Sequence, residues 1–275
     1  DQNGSVIWAS VFGFDIDSEN QVYGLDNAND LILSNDGGYI ITGQYHAQHP
    51  DILILKIDGQ GNLENKYIIS TAPPSQRIIE NGKSILTLND NYIILGSISQ
   101  SSTNGPSNIW LSEYDVSLSG VGDTLWSKKW NLDTYDVPEK IIQTSDGSFA
   151  FAGYSLNNSG ELEFSWIINT DNTGNELSSI ILTGGCYIYD FFENIDGNYI
   201  VAGKKLIGDV FQGWIICLDF QGNQIWENTY GNEESAVFQS VKQTADGGYI
   251  LTGEGQMNGI TSILHVKTDP NGNIN

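Results

Sequence analysis

The sequence predicts an all-β fold, a five-bladed β-propeller whose blades are four-stranded antiparallel sheets. One phrase, which begins as Asp-Gly-Gly-Tyr-Ile-Ile-Thr-Gly at 36–43, returns four more times along the 275 residues. Its aromatic positions, 39, 92, 149, 199 and 249, are separated by 53, 57, 50 and 50 residues. A period near 50 residues is typical of a repeat architecture. The 31 glycines, six prolines and 11% aromatic residues suit many strands and tight turns.

Each repeat predicts four strands, and the last two copies show them in order. In the fifth copy, residues 240–244 form the first strand and 249–253 the second, joined by a turn whose glycines supply the positive φ that hairpins require. Residues 262–269 form the third strand and lead into a second turn, at 270–273. The fourth strand is visible one repeat earlier, at 225–231. Four antiparallel strands in a repeat of this length describe a propeller blade.

The two chain ends favour a propeller over an open solenoid of hairpins. The last repeat stops before its fourth strand, whereas residues 5–13 align in sequence with residues 224–231. In this alignment Trp8 corresponds to Trp226. We therefore predict that the N-terminal strand completes the last blade and leaves no exposed sheet edge. The predicted single domain, 1–275, contains blades at about 26–70, 82–131, 138–182, 187–231 and 236–275 plus strand 5–13.

The phrase and the residues after it resemble a family of secreted bacterial and archaeal repeats. The shared pattern continues as x-Trp-x-Ile-x-x-Asp-x-x-Gly-Asn-x-x-Trp and is strongest in 192–231 and 238–273. The resemblance implies a β-propeller in an extracellular protein, and it carries no catalytic residues. Asp219, Gly222 and Trp226 are distantly similar to the blade motif of quinoproteins. Those proteins have eight blades, so we expect no quinone cofactor here.

The charge limits the possible partners. Lys and Arg number 11 against 34 Asp and Glu, and the formal net charge is -23. This negative field disfavours nucleic acid and anionic membrane surfaces. No apolar run is long enough to span a bilayer. We expect an extracellular or cell-surface location, with a glycan or an extracellular protein as the partner, and the two cysteines as unpaired thiols.

The site is expected at one end of the blades. The connections from a fourth strand to the next first strand, and from second to third, share this end, which we name the loop end; the short repeated turns share the other, the turn end. The loop-end connections differ between repeats, and such individual loops commonly carry function. Aromatic and acidic residues there are the predicted ligand-binding set: Tyr23, Asp133, Tyr135, Asp136, Tyr187, Tyr189, Glu233, Glu234 and Phe238.

The predicted set has two interpretations. Rings at the mouth of a propeller stack on sugars, or they pack between blades. Asp15, Asp17 and Glu19 carry oxygen ligands at alternating positions, so calcium is the candidate metal, although the spacing is not that of an EF-hand and solvated carboxylates are the alternative. No other cofactor is expected.

Two functional hypotheses follow. The first is a non-catalytic extracellular propeller that acts as a binding or assembly module, as a surface, adhesion or filament component. It would bind a glycan, a partner protein, or a copy of itself by strand exchange. The alternative is a polysaccharide hydrolase or lyase that uses loop carboxylates in the central funnel. No Gly-x-Ser-x-Gly nucleophile motif is present. The binding hypothesis is preferred because the acidic residues cluster in loops.

Overall fold

The computed structural model describes residues 5–12, 26–46, 50–71, 78–100, 107–115, 123–132, 135–231 and 234–274. All regular structure in these residues is β, arranged as five antiparallel sheets. Within the same residues, no helix is present that is long and apolar enough to cross a membrane. The chain divides into two compact units, residues 1–133 and 134–275, and each is described by itself.

The first unit contains two four-stranded sheets, each in chain order. Sheet 1 consists of β1 (Asn27–Leu33), β2 (Tyr39–His46), β3 (Pro50–Ile57) and β4 (Leu63–Ile69). Sheet 2 consists of β5 (Ile78–Leu88), β6 (Asn91–Gln100), β7 (Ser107–Asp115) and β8 (Asp123–Trp130).

The second unit contains three sheets, and the last has three strands in the described residues. Sheet 3 consists of β9 (Tyr135–Gln143), β10 (Phe149–Leu156), β11 (Leu162–Thr170) and β12 (Glu176–Leu182). Sheet 4 consists of β13 (Cys186–Glu193), β14 (Tyr199–Ile207), β15 (Val210–Leu218) and β16 (Gln224–Tyr230). Sheet 5 consists of β17 (Ala236–Gln243), β18 (Tyr249–Met257) and β19 (Ile260–Thr268).

A β-bulge in the first strand of every sheet explains the last glycine of the repeated phrase. The strand register skips one residue in each sheet, and these bulge residues are Asn29, Lys83, Glu139, Tyr189 and Gln239. At the bulge the first strand comes so close that a Cβ on Gly203 would lie 1.8 Å from the Tyr187 carbonyl oxygen. A Cβ on Gly43 would meet the Asn27 carbonyl oxygen at the same distance. Only glycine fits at this position, so the phrase marks a close approach of two strands.

The core lies between the faces of consecutive sheets within each unit. Between sheets 1 and 2 it includes Ile40, Ile54 and Trp110, and between sheets 3 and 4 it includes Ile167 and Trp214. A third cluster joins sheets 4 and 5. Because both faces of an inner strand are covered, β10 and β15 read as nearly continuous apolar runs.

The two cysteines are free and buried, as predicted. Cys186 lies in β13 and Cys217 in β15, and β14 separates these strands. Burial raises the pKa of both thiols to about 11.

Residues 5–12 form no strand in the described structure, yet they contact sheet 1 as β16 contacts sheet 5. Trp8 covers Gly61 and lies 5.9 Å from the ring of Tyr39, and its Nε1 donates to the Gly59 carbonyl oxygen at 3.0 Å. In the second unit Trp226 covers Gly272 and lies 5.7 Å from Tyr249. Residues 5–12 therefore take the position that a fourth strand takes against the sheet that follows it.

Candidate functional site

Four aromatic side chains meet at the loop end of sheets 3 and 4. We name Tyr154, Tyr187, Tyr189 and Phe211 the aromatic cluster. The ring centroid of Tyr187 lies 5.0 Å from that of Tyr154 and 5.6 Å from that of Phe211, both edge-on. Tyr187 and Tyr189 stack at 6.3 Å with an interplanar angle of 19°. All four side chains are half-buried, so each keeps part of its surface accessible to solvent.

Strand geometry brings these rings together from two sheets. Tyr187 and Tyr189 lie on β13 on either side of Ile188, and the bulge begins there. Tyr154 follows Gly153, the close-approach glycine of sheet 3, and Phe211 is the second residue of β15, opposite Leu206. Residues two apart on a strand point to the same face. The cluster therefore fills the space between sheets 3 and 4 where both open to the loop end.

Lys204 places its ammonium group against the aromatic cluster. Its Nζ lies 4.4 Å from the ring centroid of Tyr187, 4.5 Å from that of Phe211 and 5.8 Å from that of Tyr189. The ring faces carry negative potential and attract the cation. Partial burial lowers the pKa of Lys204. The neighbouring Lys205 instead pairs with Glu227 at 2.5 Å; no such ion pair is recorded for Lys204 within the described residues.

Two carboxylates act on the aromatic cluster and on Lys204. Glu139, the bulge residue of β9, hydrogen-bonds with Tyr154, and its charge adds to burial in raising the pKa of both Tyr154 and Tyr189. Glu254 follows the close-approach glycine of sheet 5 and acts electrostatically on Lys204, raising its pKa against the effect of burial. The site thus combines ring faces, one ammonium donor and carboxylate acceptors. This combination suits a polyhydroxylated ligand, because C–H faces stack on rings and hydroxyls need both donors and acceptors.

The structure brings two of the predicted ligand-binding residues into the cluster, Tyr187 and Tyr189. Asp136 lies in β9, is fully buried, and accepts a hydrogen bond from the Ser155 hydroxyl at 2.7 Å. Phe238 is also fully buried and lies 5.7 Å from the ring of Tyr230. Tyr135 is half-buried at the start of β9.

The remaining predicted residues lie elsewhere. Glu234 is half-buried beside the β18–β19 hairpin, where its carboxylate accepts from the Gly259 amide at 3.5 Å. Tyr23, Asp133, Glu233 and the candidate metal ligands Asp15, Asp17 and Glu19 fall outside the described residues. Among the described residues, no group of three His, Cys, Asp or Glu side chains is arranged to hold a metal ion.

Sequence reasoning missed Tyr154, Lys204, Phe211 and Glu139 as site residues. One signal was present in the repeats. The residue after the close-approach glycine differs in every copy: Gln44, Ser97, Tyr154, Lys204 and Glu254. A position that varies directly after a repeated phrase holds a side chain that the blade scaffold does not determine. Three of these five residues belong to the site.

Comparison with known proteins supports the fold and leaves the family open. No protein-family model matches the chain, and no curated protein matches it. The resemblance to secreted repeats therefore stays a prediction. A protein of unknown function from Bacteroides caccae superimposes with a TM-score of 0.53 at 13% identity, over 90% of this chain and 80% of that one. A GH43 β-1,3-galactosidase gives a TM-score of 0.53 at 10% identity, over 88% of this chain and 56% of that one.

A third structure is less similar. An exo-1,5-α-L-arabinanase from a bovine ruminal metagenomic library gives a TM-score of 0.47 at 11% identity, over 88% of this chain and 93% of that one. The similar structures are propeller-type proteins. Together with the five antiparallel sheets, the two structures with a TM-score of 0.53 confirm the predicted fold class, an all-β propeller. At these identities the similarity concerns the fold alone, and function has to be argued from the site.

Proposed function

We propose that this protein is an extracellular polysaccharide-binding propeller whose ligand contacts the aromatic cluster. The observation that supports the proposal is a set of four half-buried rings at the loop end, three of them close to the Lys204 ammonium group, with Glu139 beside Tyr154. Rings stack on the apolar faces of sugars, and the ammonium and carboxylate groups exchange hydrogen bonds with hydroxyls. A neutral glycan also avoids the repulsion that a net charge of -23 imposes on anionic polymers.

Glycan binding is tested with a panel of neutral polysaccharides, namely β-1,3-galactan, xylan and arabinan, by affinity electrophoresis with and without calcium. We expect at least one to bind, and Tyr187→Ala to weaken binding about 30-fold, as for a buried aromatic contact worth roughly 2 kcal/mol. The matched control is Tyr45→Ala, which removes a ring with a lysine, Lys66, 4.9 Å from its centroid in the first unit. Absence of binding across the panel, or equal losses in both variants, would contradict the proposal.

A polysaccharide hydrolase or lyase is the second candidate function. It is favoured by two carboxylates at the site: Glu139 acts on Tyr154, and Glu254 acts on Lys204 beside the aromatic cluster. Enzymes of this class use a pair of carboxyl groups on opposite sides of the scissile bond. The fold similarity to a β-1,3-galactosidase agrees with this candidate without adding residues to it.

The same panel separates the two candidates. Release of new reducing ends, lost in both Glu139→Gln and Glu254→Gln, would establish the reaction. Binding that depends on Tyr187 without any product would establish a binding module. A calcium requirement in either assay would point to the acidic segment of Asp15, Asp17 and Glu19. Concentration-dependent assembly without a glycan would favour self-association by strand exchange instead.

A further inference from the structure

A cleft opens at the loop end of the second unit, on the opposite side of the β14–β15 hairpin from the aromatic cluster. Its volume is about 850 Å³, and it lies between the tips of the β14–β15 and β18–β19 hairpins. Clefts of this size hold ligands larger than a single small ring. The lining side chains are Ile207, Val210, Gln212, Glu234, Gln256, Met257 and Asn258.

Local chain geometry makes both walls of this cleft. Gly208, with φ of 62°, turns the β14–β15 hairpin, and Asn258 and Gly259, with φ of 54° and 72°, turn the β18–β19 hairpin. Each hairpin is also held near its tip, because the Leu206 amide donates to the Gly185 carbonyl oxygen at 2.9 Å and the Gln256 amide to that of Ser235 at 2.8 Å. These bonds support the walls of the cleft without a ligand.

The chemistry of the lining selects a neutral ligand rich in hydroxyl groups. The amides of Gln212, Gln256 and Asn258 each provide donors and an acceptor, and the Glu234 carboxylate provides further acceptors. The apolar contribution comes from Ile207, Val210 and Met257, and the Ile207 and Met257 side chains are 43% and 63% exposed. Among the described residues, the lining holds no Lys or Arg. Alternating amide and aliphatic side chains match the hydroxyl rims and C–H faces of a sugar.

The cleft and the aromatic cluster share one strand. Successive side chains of β15 point to opposite faces. Val210 and Gln212 line the cleft, and Phe211 between them belongs to the aromatic cluster. A ligand that contacts both surfaces must cross the β14–β15 hairpin, so it must contain several sugar units.

We propose that this cleft is a second sugar subsite, and that the ligand of the aromatic cluster is a neutral oligosaccharide bound across the β14–β15 hairpin. The inference rests on the proposed polysaccharide recognition and adds its length and direction. Sugar units on one side of the hairpin stack on the cluster, and those on the other side bind the amides of the cleft.

The test measures affinity against chain length by calorimetry, with disaccharides and longer oligomers cut from β-1,3-galactan, xylan and arabinan. We expect longer oligomers to bind about tenfold or more tightly than disaccharides. Gln212→Ala and Gln256→Ala should remove that gain and leave disaccharide affinity unchanged, whereas Tyr187→Ala should weaken both. Gln221→Ala, at an exposed turn-end glutamine, is the control. Thermal unfolding verifies that each variant is folded.

The outcomes separate this inference from the proposed function. Equal affinity for disaccharides and long oligomers, or Gln256→Ala behaving like Gln221→Ala, would overturn the second subsite and leave recognition at the aromatic cluster standing. Loss of all binding in the cleft variants, with Tyr187→Ala silent, would overturn the role of the cluster instead. Absence of binding by every oligomer would overturn both.

Discussion

The loop ends of sheets 1 and 2 and of sheets 3 and 4 use the same backbone positions for different chemistry. In the first unit Gln44 follows the close-approach glycine, and its amide donates to the Glu80 carbonyl oxygen at 2.9 Å. Asn29, at the bulge, donates to Asn81 Oδ1 at 2.7 Å. In the second unit the corresponding residues are Tyr154, Glu139 and Tyr187, and they form the site.

The difference shows how a repeat separates scaffold from function. In the first unit these amides bond to the neighbouring sheet, which uses their hydrogen-bonding capacity internally. In the second unit the rings pack edge-on against one another, and part of each side chain stays accessible to solvent. The bulge and the close-approach glycine are the same in both places. The bulge and the glycine fix the backbone positions of these side chains, whereas the residue types at these positions differ between repeats.

Sheets 1 and 4 share an aspartate directly after the bulge, and it joins each of them to the sheet that follows. Asp30 accepts hydrogen bonds from the Ser84 hydroxyl at 2.6 Å and the Ile85 amide at 3.1 Å. Asp190 accepts from the Ser240 hydroxyl at 2.9 Å and the Val241 amide at 3.0 Å.

Replacing these aspartates is expected to have the largest effect on stability. Asp190→Ala should lower the free energy of unfolding by about 3 kcal/mol, because a buried amide and a hydroxyl lose their acceptor. Asp30→Ala should have a similar effect. Denaturant unfolding measures both, with Asp209→Ala on the exposed hairpin tip as the control. A large loss at one position and none at the other would show that the two contacts are not equivalent.

Replacing Tyr154 with the glutamine that sheet 1 has at the same position, Gln44, should weaken ligand binding. Tyr154→Gln is expected to weaken binding of the polysaccharide identified in the panel by about tenfold, since a stacking surface worth roughly 1 kcal/mol or more is lost. Tyr154→Phe keeps the ring and should retain most of the affinity. If Phe weakened binding as much as Gln, the hydroxyl beside Glu139 would be the important group.

Gln44, in the first unit, should contribute to stability and not to ligand binding. Gln44→Ala removes a buried hydrogen bond and should cost about 1 kcal/mol in the free energy of unfolding. Affinity for the polysaccharide should stay at the wild-type value in the same electrophoresis assay. A loss of affinity would extend the site into the first unit.

The smallest expected effect is a pH dependence at Glu80. Burial raises the pKa of this carboxyl, although hydrogen bonds from Thr71 oppose the shift. A raised folded-state pKa means that the native state binds the proton more tightly than the unfolded state, so stability falls as pH rises from the unfolded pKa to the folded one. Glu80→Gln should therefore gain stability relative to wild type between acidic and neutral pH. Parallel curves for the two proteins against pH would show that the carboxyl is ionised normally.

The same contrast appears at two buried tryptophans. Trp166 Nε1 donates to the Ser155 hydroxyl at 3.1 Å, which in turn donates to Asp136. In sheet 2 Ile98 stands in place of Ser155, and Trp110 Nε1 has no partner among the described residues. A repeat thus preserves the ring that fills the core more strictly than the polar partner of the ring.

The strands were predictable because each depends on local signals. The Asp-Gly turns place positive φ at Gly37, Gly147, Gly197 and Gly247, where the phrase has its glycine. In the second copy the positive φ falls one position earlier, on Asn89 with φ of 54°, since asparagine tolerates this conformation better than most residues. Strand bounds were less predictable: β9 begins at Tyr135, so Asp136 lies in a strand and not in the expected loop.

The site was only partly predictable. Tyr187 and Tyr189 share one strand, and their position after a variable loop was enough to select them. Tyr154, Lys204 and Phe211 lie on three other strands in two sheets. Their meeting depends on how one sheet packs on the next, and no local pattern encodes that distance. Phe238, chosen by the same reasoning as Tyr187, proved to be core because its ring fills the space over Gly213.

The sequence by itself determined the repeat, the five sheets and the turns, because tight turns and strand alternation are set by neighbours along the chain. The tertiary structure decided which rings stay accessible, that Lys204 rests among them, and that Glu139 and Glu254 act on the same place. Those features depend on contacts between side chains of different strands, such as Tyr154 with Tyr187 and Lys204 with Tyr187, and no local sequence pattern encodes these contacts.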